Sequence, residues 1–271
     1  ETASQPEDAS ESSKSSNDQQ SNISKMLRSS KMLFVAGLHS SRRFASNKIA
    51  VVLSGSGVFD GSELHEASAC LVQLTRAGLE PVCFAPDKAQ LHTVDHIKGE
   101  PTQEDRNVLV ESARIARGKV QPLSELNAAN LDGVVFPGGF GVAKNLSTFA
   151  TDGAQCTVDP VVEKVVADFR AAKKPMGFCC IAPVLAAKLI PGVRITLGQD
   201  KDDGFGQWPY AGAAEGAKSM GAKHQNCTVD EVCVDEANKV VTTPAFMFDT
   251  NQFHLVHDGI GKMISELKKL I

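Results

Sequence analysis

Short, continuous apolar runs recur along the chain, and each ends at a turn rich in glycine or proline. The first run, 48–53, is followed directly by Ser54-Gly55-Ser56-Gly57, a pattern typical of a strand buried on both faces that ends in a loop. The same reasoning predicts further strands at 81–84, 133–136 and 175–178, and a late strand pair at 229–234 and 238–242.

Between these runs, apolar side chains recur every three or four residues. The segment 64–74 follows this spacing, and Gly78 ends the helix that it predicts. Further helices are predicted at 103–117, from the capping pair Asp159-Pro160 onward, at 182–189 and at 253–270. The last of these helices carries Phe253 on its apolar stripe.

Strands that alternate with helices favour an α/β fold with a mostly parallel sheet covered on both faces. The sequence has no internal repeat and no composition shift after Asn47, so residues 47–271 are predicted to form one domain. In such sheets ligands bind beyond the carboxyl ends of the strands. Three segments lie there: 54–66, 137–145 and 179–183.

The beginning of the chain has a different composition. Residues 1–25 are acidic and rich in serine, which predicts a disordered segment. From Gln19 to Phe59 there is no acidic residue, and Arg42-Arg43-Phe44 is typical of a matrix-processing site. We therefore predict a mitochondrial transit peptide at 26–46 and a location in the matrix, with a flexible basic linker as the alternative.

The overall composition excludes several classes of protein. The chain has 271 residues, 42% of them hydrophobic, and a formal net charge of −4, which gives no basic surface for nucleic acid. No apolar run approaches the roughly 18 residues needed to cross a bilayer. The seven cysteines include no C-x-x-C pair, so free thiols are predicted, and no metal. Gly55-Ser56-Gly57 lacks the glycine spacing of a dinucleotide fingerprint, so no cofactor is predicted either.

Cys179 and Cys180 stand where the fourth predicted strand runs directly into a helix. A side chain at such a junction projects at the sheet edge and faces the helix N-terminus. The helix dipole and free N–H groups favour a thiolate there, which can bring a thiol pKa from about 8.5 toward neutrality. An equally supported alternative is that both cysteines are small, buried apolar residues.

Gly138 and Gly139 follow the third predicted strand at the same edge. Backbone N–H groups unhindered by side chains can hold a developing oxyanion, and the N–H of Gly139 and of Ile181 are the candidates. Without a neighbouring nucleophile, the simpler interpretation is a tight turn that uses glycine for its positive φ.

Glu66 lies early in the first predicted helix, one step off its apolar stripe, so it can point into the same cleft. A carboxylate would oppose a neighbouring thiolate, but a carboxyl kept protonated by burial can donate a hydrogen bond to it. Taken alone, a helical glutamate is most often a solvated surface residue. His65 adjoins Glu66 and, with Gly138, is an auxiliary candidate.

Several motifs in order closely resemble those of one protein family. They are Ser54-Gly-Ser-Gly-Val-Phe-Asp-Gly-Ser-Glu-Leu-His-Glu66, Phe84-Ala-Pro-Asp87, Phe136-Pro-Gly-Gly-Phe-Gly141, Lys144-Asn-Leu-Ser147, Cys180-Ile-Ala-Pro183 and Val241-Thr-Thr-Pro-Ala245. The resemblance is to the mitochondrial glutamine amidotransferase-like class 1 domain-containing protein three family. This family belongs to the ThiJ/PfpI superfamily and is related to the bacterial glyoxalase ElbB.

The resemblance implies a flavodoxin-like three-layer sandwich. It implies that Cys180, which precedes Ile-Ala-Pro, is the nucleophile at the elbow, that Glu66 contacts it, and that Gly139 and Ile181 are the oxyanion donors. Cys179 is then the neighbour of the nucleophile. Many relatives carry histidine directly after the elbow cysteine, whereas this chain has Ile181. A complete Cys-His-acid triad, and with it glutaminase activity, is therefore not expected.

The resemblance further implies cofactor-independent glyoxalase or deglycase chemistry on a small α-oxoaldehyde such as methylglyoxal, or on a glycated substrate. Cys180 would add to the aldehyde, and Glu66 would move a proton through an enediol. The alternatives are a redox-sensing or binding protein with an acidic elbow cysteine, and a degenerate amidotransferase subunit. Relatives commonly dimerise, so a homodimer is expected, with no nucleic-acid or membrane partner.

Overall fold

The computed structural model describes residues 47–271. Its strands there are β1 (Lys48–Val52), β2 (Glu80–Ala85), β3 (Val94–Asp95), β4 (Glu100–Pro101), β5 (Val120–Pro122), β6 (Gly133–Phe136), β7 (Met176–Cys179), β8 (Arg194–Ile195), β9 (Lys223–His224), β10 (Cys233–Asp235) and β11 (Val240–Thr243). Its helices are α1 (Leu64–Arg76), α2 (Val108–Ile115), α3 (Phe140–Lys144), α4 (Phe149–Asp152), α5 (Pro160–Ala171), α6 (Pro183–Leu189), α7 (Gly212–Ser219) and α8 (Phe253–Lys269).

The central sheet has seven strands in the order β10-β11-β7-β6-β1-β2-β5. Every pairing is parallel except that of β10 with β11. In β1 every residue after Lys48 is buried, which explains why its sequence is a continuous apolar run rather than an alternating one. Because β1, β6, β7 and β11 are parallel to one another, their carboxyl ends meet at one edge of the sheet.

Helices cover the sheet. The helix α1 contacts the strands β1 and β2 and the helices α2 and α8. The helix α8 also contacts β7 and β11. The helices α5 and α6 contact each other, and α6 contacts β7. The apolar stripe of α8 is buried from Val256 to Leu267. The predicted α/β, flavodoxin-like architecture is confirmed.

The structure corrects several details of the sequence prediction. The late strand predicted at 229–234 is β10, at Cys233–Asp235. The helix predicted at 103–117 begins only at Val108, because the Asn107 side chain caps it by accepting the Val110 N–H at 3.1 Å. The edge strand β5 was not predicted, since its three residues are too few to show a periodic pattern. Phe253 is 49% exposed and does not join the buried stripe of α8.

The predicted disordered segment 1–25 and transit peptide 26–46 lie outside the described residues. Within the described part of the chain, no helix is both long and apolar enough to span a membrane.

Candidate active site

Cys180 occupies the sharp turn between β7 and α6. Its backbone is left-handed, with φ of 58°, and its N–H donates to the carbonyl of Thr243 at 3.1 Å. A residue other than glycine in this conformation is strained by about 1–2 kcal/mol, and the surrounding structure must hold it there. The turn directs the thiol toward a cavity that Cys180 itself lines. The predicted elbow is present.

The neighbouring Cys179 differs from Cys180 in its surroundings. It is fully buried, its sulfur lies 3.9 Å from Glu66 Oε2, and its thiol hydrogen-bonds with Cys70. That hydrogen bond and burial raise the pKa of Cys179 well above its ordinary value. Only one of the two adjacent thiols therefore reaches the cavity.

Glu66 lies in the first turn of α1 and is completely buried. Its Oε1 accepts the Phe246 N–H at 3.1 Å and its Oε2 accepts the Gly138 N–H at 3.0 Å. Glu66 Oε2 and the Cys180 sulfur both lie against Gly138, and each group perturbs the pKa of the other. The two backbone donors hold the carboxyl beside the sulfur. Glu66 is buried in the protein interior and does not line the cavity.

Burial determines the charge of this pair. It raises the pKa of Glu66 from 4.5 to about 8, with a second contribution from the charge of Glu63. The carboxyl is therefore protonated at pH 7. Burial and the Glu66 charge also raise the pKa of Cys180 well above its ordinary value.

The expectation of an acidic thiol is therefore wrong for the resting site. The N–H groups of Gly139 and Ile181 do lower the pKa of Cys180, as the sequence suggested, but burial outweighs them. The pair loses its first proton at about pH 8, mainly from Glu66.

The two predicted oxyanion donors act on the thiol, since the N–H groups of Gly139 and Ile181 both lower the pKa of Cys180. Gly139 precedes α3 and has φ of 97°, which favours glycine. The N–H of Gly138 instead faces Glu66. Gly138 therefore orients the carboxyl and is not an oxyanion donor.

Gly138 also lets the backbone approach the site closely. A Cβ there would lie 2.3 Å from Cys180 Cβ and 2.5 Å from Glu66 Oε2. We expect Gly138→Ala to displace both groups, to lower the free energy of unfolding by about 1–3 kcal/mol and to slow alkylation of Cys180. Urea titration and mass spectrometry measure the two effects.

The matched control is Gly212→Ala in α7, where a Cβ meets nothing within 4 Å. This change should leave stability within about 1 kcal/mol of the wild type or raise it. Unchanged stability in both variants would contradict the proposed close packing at Gly138.

The ionisation of Glu66 predicts how stability depends on pH. Because its pKa is about 8 in the folded protein and 4.5 ordinarily, its protonated form stabilises the fold. This contribution is complete below pH 4.5 and is lost as the pH rises to about 8, at up to about 1.4 kcal/mol per pH unit. Urea titrations should show this fall in the wild type and a smaller one in Glu66→Leu. An equal fall of stability with pH in both proteins would mean that a group other than Glu66 causes it.

His65 and Glu63 lie on the cavity wall in front of the sulfur. The His65 Nδ1 lies 2.9 Å from Glu63 Oε1, its side chain is 59% exposed, and its ring centroid is 4.6 Å from that of Phe253. Among the described residues, no histidine hydrogen-bonds to Cys180. The auxiliary candidate His65 bonds with Glu63 instead.

Glu63 is a site residue that the sequence reasoning missed. Its Oε2 accepts the Glu66 N–H at 2.7 Å and so caps α1, while the same carboxyl lines the cavity. The signal was present: two glutamates three residues apart at a helix N-terminus lie on one face of the helix.

The cavity has a volume of about 840 Å³. Its wall is built by the residues around α3 and α4, the loop before α7, the first turn of α7, and the segment from Phe246 to Phe253. Cys180 and Gly139 lie on this wall, so an electrophile in the cavity can reach both the sulfur and an oxyanion donor.

Comparison with known proteins reveals close relatives. The chain is 58% identical over 236 residues to "ES1 protein homolog, mitochondrial" of Rattus norvegicus, covering 87% of this chain and 88% of that protein. It is 56% identical over 236 residues to "Glutamine amidotransferase-like class 1 domain-containing protein 3, mitochondrial" of Homo sapiens, covering 87% of each. No family model matches the chain.

A solved structure supports the fold. The isoprenoid biosynthesis protein with amidotransferase-like domain from Ehrlichia chaffeensis superposes with a TM-score of 0.74 at 36% identity, covering 83% of this chain and 99% of that one. The mitochondrial relatives confirm the predicted mitochondrial localisation. The chain belongs to the mitochondrial glutamine amidotransferase-like class 1 domain-containing protein 3 (ES1) family.

Proposed function

We propose that this protein is a cysteine-dependent, cofactor-independent glyoxalase or deglycase that acts on 2-oxoaldehydes such as methylglyoxal or on early glycation adducts. One observation carries the proposal: the Cys180 sulfur and the buried Glu66 carboxyl lie side by side against Gly138, and Cys180 lines a cavity. The N–H groups of Gly139 and Ile181 act on the same thiol. This arrangement combines a nucleophile, a proton carrier and two oxyanion donors.

The first step is addition of Cys180 to the aldehyde carbon. The reactive form is the mono-anion of the pair, in which Cys180 and Glu66 share one proton. As the S–C bond forms, Glu66 takes the thiol proton and the carbonyl oxygen becomes an oxyanion. The N–H groups of Gly139 and Ile181 lie beside the sulfur, where they can stabilise that charge.

The second step moves a proton between adjacent carbons. Glu66 returns its proton to the oxyanion, which gives a hemithioacetal, and then removes the hydrogen of the carbon bonded to sulfur. The electron pair passes to the neighbouring carbonyl oxygen, which gives an enediolate. Glu66 returns the proton to that second carbon, and the hydroxyl proton of the first carbon passes to the second oxygen, which leaves a thioester bearing a 2-hydroxyl group. The reacting carbon is one bond from the sulfur that Glu66 contacts, so a buried carboxyl is placed to act on it.

Hydrolysis completes the cycle. Water cleaves the thioester, releases the 2-hydroxy acid and returns the Cys180 thiol. The oxoaldehyde is reduced at one carbon and oxidised at the other, so the balance requires only water. A pKa of about 8 suits this role, because Glu66 can both accept and donate a proton near neutral pH.

The surroundings of Cys180 favour this chemistry over its alternatives. A redox sensor works through an accessible thiolate, whereas burial raises the pKa of Cys180. An amidotransferase-type hydrolysis requires a histidine base, and the described hydrogen bond of His65 goes to Glu63 instead.

The test is product formation by the purified full chain. Methylglyoxal should be converted to lactate, measured by an enzymatic lactate assay, with one lactate formed for each methylglyoxal consumed. Consumption of methylglyoxal without lactate would indicate only scavenging by surface groups. Formation of a Cys180 sulfenic acid by low peroxide, with no turnover of aldehyde, would favour the sensor.

A further inference from the structure

Aromatic side chains dominate the wall of the cavity in front of Cys180. Phe140 and Tyr210 form one edge-to-face pair, with ring centroids 5.9 Å apart, and Phe246 and Phe253 form another at 5.7 Å. Phe149 adds a fifth ring. Phe253 and Tyr210 remain 49% and 44% exposed although they are large, so apolar surface is available to a ligand.

The charge of the same wall is one-sided. Among the described residues that line the cavity there is no lysine or arginine, whereas Glu63 and Asp249 contribute carboxylates. The nearby Lys144 does not line the cavity: its Nζ donates to the carbonyl of Phe59 at 2.7 Å and lies 5.6 Å from the centroid of the Phe140 ring. A carboxylate or phosphate on a ligand would find no lysine or arginine on this wall and would face Asp249, while the histidine of the wall, His65, is already paired with Glu63.

The size of the cavity exceeds what the smallest oxoaldehydes need. A volume of about 840 Å³ lies in the upper part of the range that holds drug-sized ligands. Small residues of α7, Gly212, Ala213 and Gly216, form part of the same wall. A three-carbon molecule would contact few of these groups while its aldehyde carbon was at the sulfur.

We propose that the substrate selected by this site is an uncharged 2-oxoaldehyde whose substituent is an aryl or similarly bulky apolar group. This rests on the 2-oxoaldehyde reaction proposed above and specifies its substrate class. The aldehyde end reacts at Cys180, and the substituent lies against the aromatic wall formed by Phe140, Phe149 and Tyr210.

The test compares kcat/KM for three substrates of the full chain. Phenylglyoxal should exceed methylglyoxal by about tenfold or more, because its ring leaves water for the aromatic wall. 4-Carboxyphenylglyoxal, of similar size but anionic, should fall at least about tenfold below phenylglyoxal.

Variants separate recognition from intrinsic reactivity. Phe149→Ala and Tyr210→Ala should each reduce the ratio of kcat/KM for phenylglyoxal to kcat/KM for methylglyoxal several-fold. Differences in intrinsic reactivity between the two substrates cancel when the ratio of a variant is compared with that of the wild type. Asp249→Lys should raise the relative kcat/KM for 4-carboxyphenylglyoxal. The matched control is Phe205→Ala: this ring is 86% exposed, lies outside the cavity wall and should not affect the ratios.

A second readout does not depend on turnover. The rate of Cys180 alkylation, followed by peptide mass mapping, is compared for N-phenylmaleimide, N-methylmaleimide and 4-maleimidobenzoate, each relative to its rate with N-acetylcysteine. Preference for the neutral phenyl reagent supports the ligand class; the absence of preference overturns it, whatever the turnover. Preference without turnover of any oxoaldehyde supports the ligand class and overturns the proposed reaction.

Discussion

Replacing Cys180 with serine is expected to lower the formation of 2-hydroxy acid from 2-oxoaldehydes by at least about 10³-fold. A serine hydroxyl fits the same elbow, but with a far higher pKa than a thiol it cannot pass its proton to Glu66 as it attacks. The oxyanion donors and the cavity remain, so substrate binding should change little. Lactate formation under saturating methylglyoxal measures the loss.

Two other cysteines provide the controls. Cys83 is a buried cysteine of β2, and Cys83→Ser should keep activity close to that of the wild type. Cys179→Ala tests which adjacent thiol reacts: Cys179 is fully buried, so its loss should reduce activity far less than Cys180→Ser does. If Cys180→Ser retained wild-type rates, the covalent mechanism would be excluded.

Replacing Glu66 is expected to lower kcat/KM by about 10²–10⁴-fold and to change its dependence on pH. In the wild type, kcat/KM should rise with pH through about 8, because the first proton lost by the pair comes mainly from Glu66. In Glu66→Leu that inflection should disappear. The remaining rate should rise only at higher pH, since burial still raises the pKa of Cys180.

Glu66→Gln distinguishes the proton carrier from the hydrogen-bond acceptor. Both Glu66 oxygens accept a backbone N–H, from Phe246 and from Gly138, whereas an amide can accept only one of these bonds. The variant should therefore lose stability as well as the inflection. Glu63→Gln is the matched control: because the Glu63 charge raises the pKa of Glu66, its removal should shift the inflection to lower pH. An inflection near pH 8 that persists without Glu66 would assign it to another group.

Much of the site could be predicted because it depends on local sequence. The run 175–178 followed by Cys179-Cys180 predicted an elbow, and the structure places Cys180 there with φ of 58°. Such a junction is visible in a sequence, since a strand and a helix meet with no loop between them. The spacing of α1 placed Glu66 at the same sheet edge as Cys180, but the structure buries it beside the sulfur and not in the cavity lining.

Other features depend on segments far apart in the chain. The pKa of Cys180 could not be judged from the elbow alone, because it is set by burial and by Glu66, a residue from another element. Phe253 appeared to be a core residue by its spacing, yet it lies half-exposed on the cavity wall. A stripe shows which face of a helix is apolar but not where along its length the core ends.

By itself, the sequence determined the main strands and helices, the parallel sheet and the strand-to-helix elbow at Cys179-Cys180, because periodicity, caps and turns act over a few residues. Only the tertiary structure decided the protonation of the Cys180–Glu66 pair, the role of Glu63 and the charge and size of the cavity. Those properties depend on exclusion of water and on distances between groups that are remote in sequence.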